Sequence, residues 1–349
     1  MSTSASAPIV PQRWVRPLDV APGHWKKQLP GKYLELAKKG DLRRLAALLQ
    51  AHPEFLSKRG SHNRTLLWEA ARRGNVATVT MLVDAGADVN ATGCYNSETM
   101  VQITPYCAAR YYGREAIAEY LWAHGSTLDI FRAAFLGDRG RVEQELASPP
   151  ELLQAEDPHD EIYYVPLLSF AVAGGHAELA KFLIRHGAPI AQYSAQLLCL
   201  AVQAGRQDLV EMLFAHGADA RAVRAGIFVV TSDLDLLRYL LSKGVSPHGH
   251  GESGLPPLVY VARGDKGERP DKVRLLLNHG ADINTTGPNG KTALHYSATA
   301  GHTSVVTLLL DRGADATLTD SEGHTALSLA RTVGKTTCCE LLVARGARG

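Results

Sequence analysis

Short runs of apolar residues, three and four positions apart, return along the chain between paired glycines. Val79, Met81 and Leu82 fall between Gly74 and Gly86; Val305, Val306, Leu308 and Leu309 fall between Gly301 and Gly313. That spacing lays the apolar side chains along one stripe of a helix. The same twelve-residue interval separates Gly113 from Gly125, Gly175 from Gly187, Gly205 from Gly217 and Gly334 from Gly346. Both glycines fit helix C-terminal stops, because a residue without Cβ enters the left-handed region at little cost. Ahead of the first glycine the pattern predicts a second, shorter helix, as in Thr292-Ala293-Leu294-His295-Tyr296-Ser297-Ala298. Its threonine can cap the helix, and its small residues let a neighbouring helix approach closely. Two short helices cannot bury their apolar stripes alone, so each repeat must stack on the next. The expected fold is an all-α solenoid.

The second glycine often opens a Gly-Ala-Asp exit. Full copies stand at Gly86-Ala87-Asp88, Gly217-Ala218-Asp219, Gly280-Ala281-Asp282 and Gly313-Ala314-Asp315, with weaker ones at Gly187, Gly244 and Gly346. From Gly280 to Gly313 to Gly346 the interval is 33 residues twice. A helix–turn–helix with this exit resembles the ankyrin repeat. The best matches are Thr292-Ala293-Leu294-His295 with Ala298 and Gly301-His302, Thr325-Ala326-Leu327 with Ala330, and Thr104-Pro105-Tyr106-Cys107-Ala108-Ala109. The resemblance covers residues 31–349 and implies an ankyrin-type solenoid of helix-turn-helix repeats with short hairpin loops.

Ten repeats can be drawn, at 31–62, 63–101, 102–127, 128–163, 164–193, 194–221, 222–252, 253–288, 289–321 and 322–349. The fourth drifts after Gly137 into an irregular insertion at 147–164. The seventh lacks the middle glycine, and the eighth inserts Lys266-Gly267-Glu268-Arg269-Pro270. Residues 1–30, with Trp14 and Trp25, form an N-terminal extension, either a cap or a covering arm.

In stacks of this kind the exposed faces of the inner helices line a concave surface, so positions three and four apart can be read as its lining. The first two repeats then present a mostly cationic stretch: Lys38 and Lys39 beside Glu35, then Arg72 and Arg73 beside Glu69. The next four present Tyr111 and Tyr112, then Arg132, Phe135 and Leu136, then Phe170 and Leu200. Contiguous exposed apolar patches mark binding surfaces, and aromatic and Arg side chains dominate interface energetics. The expected partner-binding residues are Glu69, Arg72, Arg73, Tyr111, Tyr112, Arg132, Phe135 and Phe170, receiving a segment with apolar anchors and acidic flanks. The competing reading makes the stripe core, covered by the N-terminal arm or by the insertion, which carries Leu152, Leu153, Ile162, Tyr163 and Tyr164.

Composition narrows the function. Of 349 residues 45% are apolar, enough for a long continuous core. A net charge of +2 argues against nucleic acid as the general partner. No apolar run approaches the ~18–20 residues of a membrane span, and the start, Met1-Ser2-Thr3-Ser4, lacks a secretory pattern. Five irregularly spaced cysteines, Cys94, Cys107, Cys199, Cys338 and Cys339, suit a reducing compartment and a cytoplasmic location. Cys107 and Cys199 read as small buried residues.

Candidate chemistry is sparse. Gly334-Lys335-Thr336 resembles the end of a phosphate loop, but the position five residues before Gly334 is Leu329 and no strand precedes it. His248-Gly249-His250 has ligand-like spacing in a flexible loop. Glu156-Asp157-Pro158-His159-Asp160-Glu161 lacks the order of a calcium loop and reads as an exposed acidic insertion. His295, His176 and His302 read as structural. No catalytic constellation, metal site or cofactor motif is expected. The leading function is a protein–protein interaction module, an adaptor or inhibitor, acting as a monomer. The alternative is an enzyme whose small-molecule pocket is built on the central inner helices, near Arg110 and Arg132.

Overall fold

A computed structural model describes residues 29–95, 101–147, 150–158, 165–223, 226–248, 254–264 and 267–347. Among them twenty α-helices follow one another in ten pairs, one pair for each repeat marked by the glycines. The chain divides into two compact blocks. The first comprises Met1–Arg132 with Glu156–Val165, the second Ala133–Ala155 with Pro166–Gly349.

In the first block α1 (Gly31–Lys39) pairs with α2 (Leu42–Ala51), α3 (Leu66–Arg73) with α4 (Val76–Asp84), and α5 (Pro105–Tyr111) with α6 (Glu115–Ala123). The division falls within α7 (Ile130–Leu136), whose partner is α8 (Arg139–Leu146). The second block continues with α9 (Leu167–Ala173), α10 (Ala177–Arg185), α11 (Ser194–Gln203), α12 (Gln207–Ala215), α13 (Ile227–Val230) and α14 (Leu234–Ser242). It ends with α15 (Pro257–Arg263), α16 (Pro270–Asn278), α17 (Ala293–Ala300), α18 (Thr303–Asp311), α19 (Ala326–Thr332) and α20 (Thr336–Ala344).

Within each block the first helix of a pair stacks on the first helix of the next: α1 on α3 on α5, and α9 through α19 in odd order. The core runs between these rows. Leu34, Leu45, Leu66, Leu82 and Leu121 are buried in the first block, Leu168, Leu183, Leu198, Leu213, Leu258, Leu276, Leu309 and Leu342 in the second. A short hairpin joins α4 to α5, with β1 (Gly93–Cys94) antiparallel to β2 (Gln102–Ile103).

The helix ends are set as their residues dictate. Thr65, Thr104, Thr292 and Thr325 each accept a backbone N–H from three residues on, at the starts of α3, α5, α17 and α19. Gly74 and Gly301 stop α3 and α17 at φ 87° and 83°. The residue after the glycine then reaches back to the preceding repeat. Asn75 Nδ2 donates to the carbonyls of Ala37 and Lys38, and His176 Nε2 donates to that of Phe135. Arg206 Nη1 donates to Gly175 O and His302 Nδ1 to Ala262 O. These donors satisfy carbonyls that a helix C-terminus leaves without partners. In the irregular seventh repeat, where the middle glycine is missing, buried Lys272 of α16 does the same work on Phe228 O and Thr231 O at the end of α13.

His295 is a structural histidine with a definite protonation state. Its Nδ1 accepts from Thr292 N–H at 3.2 Å and its Nε2 donates to His324 O at 3.1 Å. Burial holds its pKa below the ordinary imidazole value, against the hydrogen bond to His324 and the charge of Asp320. The folded pKa lies below the unfolded one, so the unfolded chain takes up the proton first as pH falls. Stability is therefore full above about pH 6.5 and is lost as pH drops through the folded pKa. His176 adds in the same direction, again through burial. The thermal midpoint is expected to fall between pH 7.5 and 5.5, and His295→Gln should flatten that slope. An unchanged slope in the variant would remove His295 as its source.

Candidate functional site

The inner helices of the first block end in cations. The last turns of α1, α3 and α5 carry Lys38 and Lys39, Arg72 and Arg73, and Arg110. Each cation complements the negative end of its helix dipole. Arg73 and Tyr111 are exposed, while Arg72 and Tyr112 are half-buried.

Beneath this edge lies a buried hub. Glu69 is 1% exposed, and its carboxylate accepts from Arg64 Nη1 at 2.9 Å and from Arg72 Nη2 at 2.9 Å. Burial alone would raise the Glu69 pKa; the two guanidinium groups outweigh it and hold the carboxyl below its usual range. Arg64 also donates to Cys94 O and Tyr95 O, tying the hub to the hairpin. Its guanidinium lies 4.3 Å from the ring of Trp68, whose Nε1 donates to Ile103 O at 2.9 Å. Arg72 stands 5.7 Å from the Tyr112 ring. Tyr112 meets Tyr111 edge-on at 5.1 Å, and Tyr111 meets Tyr95 at 5.5 Å. Burial pushes the Tyr111 hydroxyl up, so it remains a neutral donor. The result is an Arg–aromatic platform on a rigid base.

The other expected contact residues are not surface residues. Arg132 is 1% exposed and clamps Asp157 with two bonds, Nη1 to Oδ1 at 2.7 Å and Nη2 to Oδ2 at 2.8 Å. Asp129 accepts a further bond from Arg132 at 3.1 Å. Asp157 is therefore buried, and the reading of its loop as an exposed acidic insertion fails at that residue; His159, Asp160 and Glu161 lie outside the described residues. In the second block Phe135, Phe170 and Leu200 are fully buried. The expectation that Glu69, Arg132, Phe135 and Phe170 are exposed is corrected, because an i, i+3, i+4 reading identifies a helix face without saying what packs on it. Residues 1–28 of the N-terminal extension and Ile162, Tyr163 and Tyr164 lie outside the described residues.

Cys107 is buried and its thiol is pushed up to about 11, chiefly by that burial, which makes it unreactive; Cys199 is half-buried. Lys335 caps α20 directly after α19, so Gly334-Lys335-Thr336 joins two helices and is no phosphate loop. His248-Gly249-His250 lies partly outside the described residues. One shallow recess of about 440 Å³ is lined by Lys32, Tyr33, Leu36, Lys39, Asp41 and Arg44; another of about 280 Å³ lies at Gly301, Thr303 and Gly334–Cys338. Neither is on the central inner helices. No described helix is long and apolar enough to cross a membrane.

Helix pairs that stack on one another, with threonine starts and glycine stops, define a helical repeat protein. The ankyrin repeats model matches residues 130–224, 227–320 and 258–348, and the single ankyrin repeat model matches 62–94. The chain belongs to the ankyrin-repeat family, whose repeats are generally protein–protein interaction modules. A similar curated protein is an ankyrin repeat protein of Pyrobaculum aerophilum, 41% identical over 63 residues. That match takes in 18% of this chain and 22% of the relative, so the chain spans about a fifth of its length. A similar solved structure is the ankyrin repeat domain of Bcl-3, described as a unique member of the IkappaB protein family. It matches at a TM-score of 0.51 and 21% identity, over 62% of this chain and 99% of that one, which establishes the fold alone.

Proposed function

We propose that this protein is a non-enzymatic adaptor or inhibitor that holds a segment of a partner protein against the last turns of α1, α3 and α5. Arg72, Arg73, Tyr111 and Tyr112 make the contact; Glu69, itself held by Arg64, lies beneath and fixes Arg72. The observation that carries the reading is the platform itself. Arg72 is locked by a buried carboxylate and faced by Tyr112, so little side-chain entropy is lost when a partner docks. The surrounding cations Lys39 and Arg73, with Arg110 beside its own partner Glu115 at 3.1 Å, select a segment with acidic residues around an apolar or aromatic anchor.

The test is selection of binding peptides from a random displayed library. Recovered sequences are expected to be rich in Asp and Glu around one aromatic or aliphatic residue. Tyr111→Ala and Arg73→Glu should each weaken the selected peptide by about tenfold or more, with the thermal midpoint unchanged. Peptides that bind both variants as tightly as the parent would place the surface elsewhere.

A further inference from the structure

Each inner helix is followed by a glycine of positive φ. Four residues before that glycine, α3, α5, α9, α11, α17 and α19 carry Ala70, Ala109, Ala171, Ala201, Ser297 and Ala330, all fully buried. A small residue there lets a neighbouring helix come close. The same position in α1, four residues before Gly40, is Leu36, and it is half-exposed. Tyr33, seven residues before Gly40, is half-exposed as well, whereas its counterpart Leu67 in α3 is 1% exposed. Among the described inner helices α3 stacks on both α1 and α5, whereas α1 stacks on α3 alone. Tyr33 and Leu36 therefore face the side where a preceding repeat would stand.

Those two side chains line the recess of about 440 Å³, whose rim carries both signs, Lys32 and Arg44 with Glu35 and Asp41. The Tyr33 ring stands 5.3 Å from that of Phe55 and extends the apolar wall. A cavity of about 150 Å³ already holds a benzene ring, so the recess has room for an indole. Fully buried Leu29 donates its N–H to Arg59 O at 3.1 Å, and Tyr33 donates its own to Pro30 O at 3.0 Å. The chain before Leu29 thus leaves the first repeat one helical turn from the recess. It supplies Val15, Leu18 and Val20 with Trp14 and Trp25, and Trp25 can stand no more than about 14 Å from Leu29. Pro8, Pro11, Pro17 and Pro22 exclude the two helices of a further repeat. Arg13, Arg16, Lys26 and Lys27 against Asp19 keep this segment off the cationic last turns of α3 and α5.

We propose that the segment 14–28 of this chain docks on the open side of α1 as an irregular cap, with the Trp25 indole in the recess against Tyr33 and Leu36. Of the two roles open to the extension, cap and covering arm, this is the cap. It closes the end of the stack that has no neighbouring repeat, as a terminal repeat must be closed. The platform of Arg73 and Tyr111 stays open.

The test uses the full chain. The fluorescence difference between the parent and Trp25→Phe isolates Trp25, whose emission should be blue-shifted from that of free tryptophan and shielded from iodide. Leu36→Asp, on the other side of the contact, should return that emission to the free value. Leu36 is half-exposed, so circular dichroism should be unaltered. Trp25→Ala lies outside every described helix and should speed amide exchange in α1 and α2 by about tenfold or more, with α9 to α20 unchanged. Emission of Trp25 like free tryptophan in the parent would overturn the cap. So would shielding that rises with protein concentration, which assigns the face to a second copy. Tighter binding of a selected acidic peptide by Trp25→Ala would overturn it too, by placing the extension over the platform.

Discussion

Replacing Arg132 by Met is expected to destabilise the first block by about 3–5 kcal/mol. The Asp157 side chain it clamps is 0% exposed, and removal of the guanidinium leaves a carboxylate in the interior without its counter-charge. Two direct bonds at 2.7 and 2.8 Å make the pairing bidentate, the strongest geometry open to an Arg–carboxylate pair. The control is Asp129→Asn. The Asp129 side chain is 40% exposed, and its loss should cost under about 1 kcal/mol. Arg132→Met combined with Asp157→Leu should recover most of the loss, because a buried ion pair gains little over a well-packed apolar one. A stacked array does not unfold as one two-state unit, so the effect is read from amide exchange of the first block. A single variant as stable as the parent would mean that Asp157 is not buried in solution.

The second large effect is steric. Gly174 has an ordinary helical φ of −73°, so its lack of a side chain serves space rather than conformation. A Cβ there would run into the Phe135 carbonyl oxygen and crowd the His176 ring. That carbonyl is the one His176 Nε2 holds at 3.0 Å, so it cannot give way without breaking the tie between successive repeats. Gly174→Ala is expected to cost about 3 kcal/mol, the upper end for overpacking. Gly113→Ala is the comparison: open space surrounds it, and only its φ of 67° opposes a side chain, at about 1–2 kcal/mol. Equal losses at both positions would remove the close approach of α7 to the end of α9.

The fold was legible because glycine is a local signal. A helix stop at positive φ admits little else, so the twelve-residue intervals mark both helices of a repeat even where Thr-Pro-Leu-His has decayed. The candidate site was legible only in part. Arg73 and Tyr111 are surface residues as expected, but Glu69, Arg132, Phe135 and Phe170 share their helical register and are buried. What separates them is tertiary. Asp157 lies 25 residues from Arg132, and nothing local in the sequence links the two. The Glu69 hub had a faint signal, since Arg64 and Arg72 flank Glu69 and Trp68 within nine positions. Lys272 had none, because its role depends on the missing glycine of the preceding repeat.

Amide hydrogen exchange of the protein with and without a selected acidic peptide tests the proposed recognition face most directly. Added protection should fall on the last turns of α1, α3 and α5 and on the β1–β2 hairpin, with α10 to α20 unchanged. Protection confined to the second block, or spread evenly over both, would contradict it.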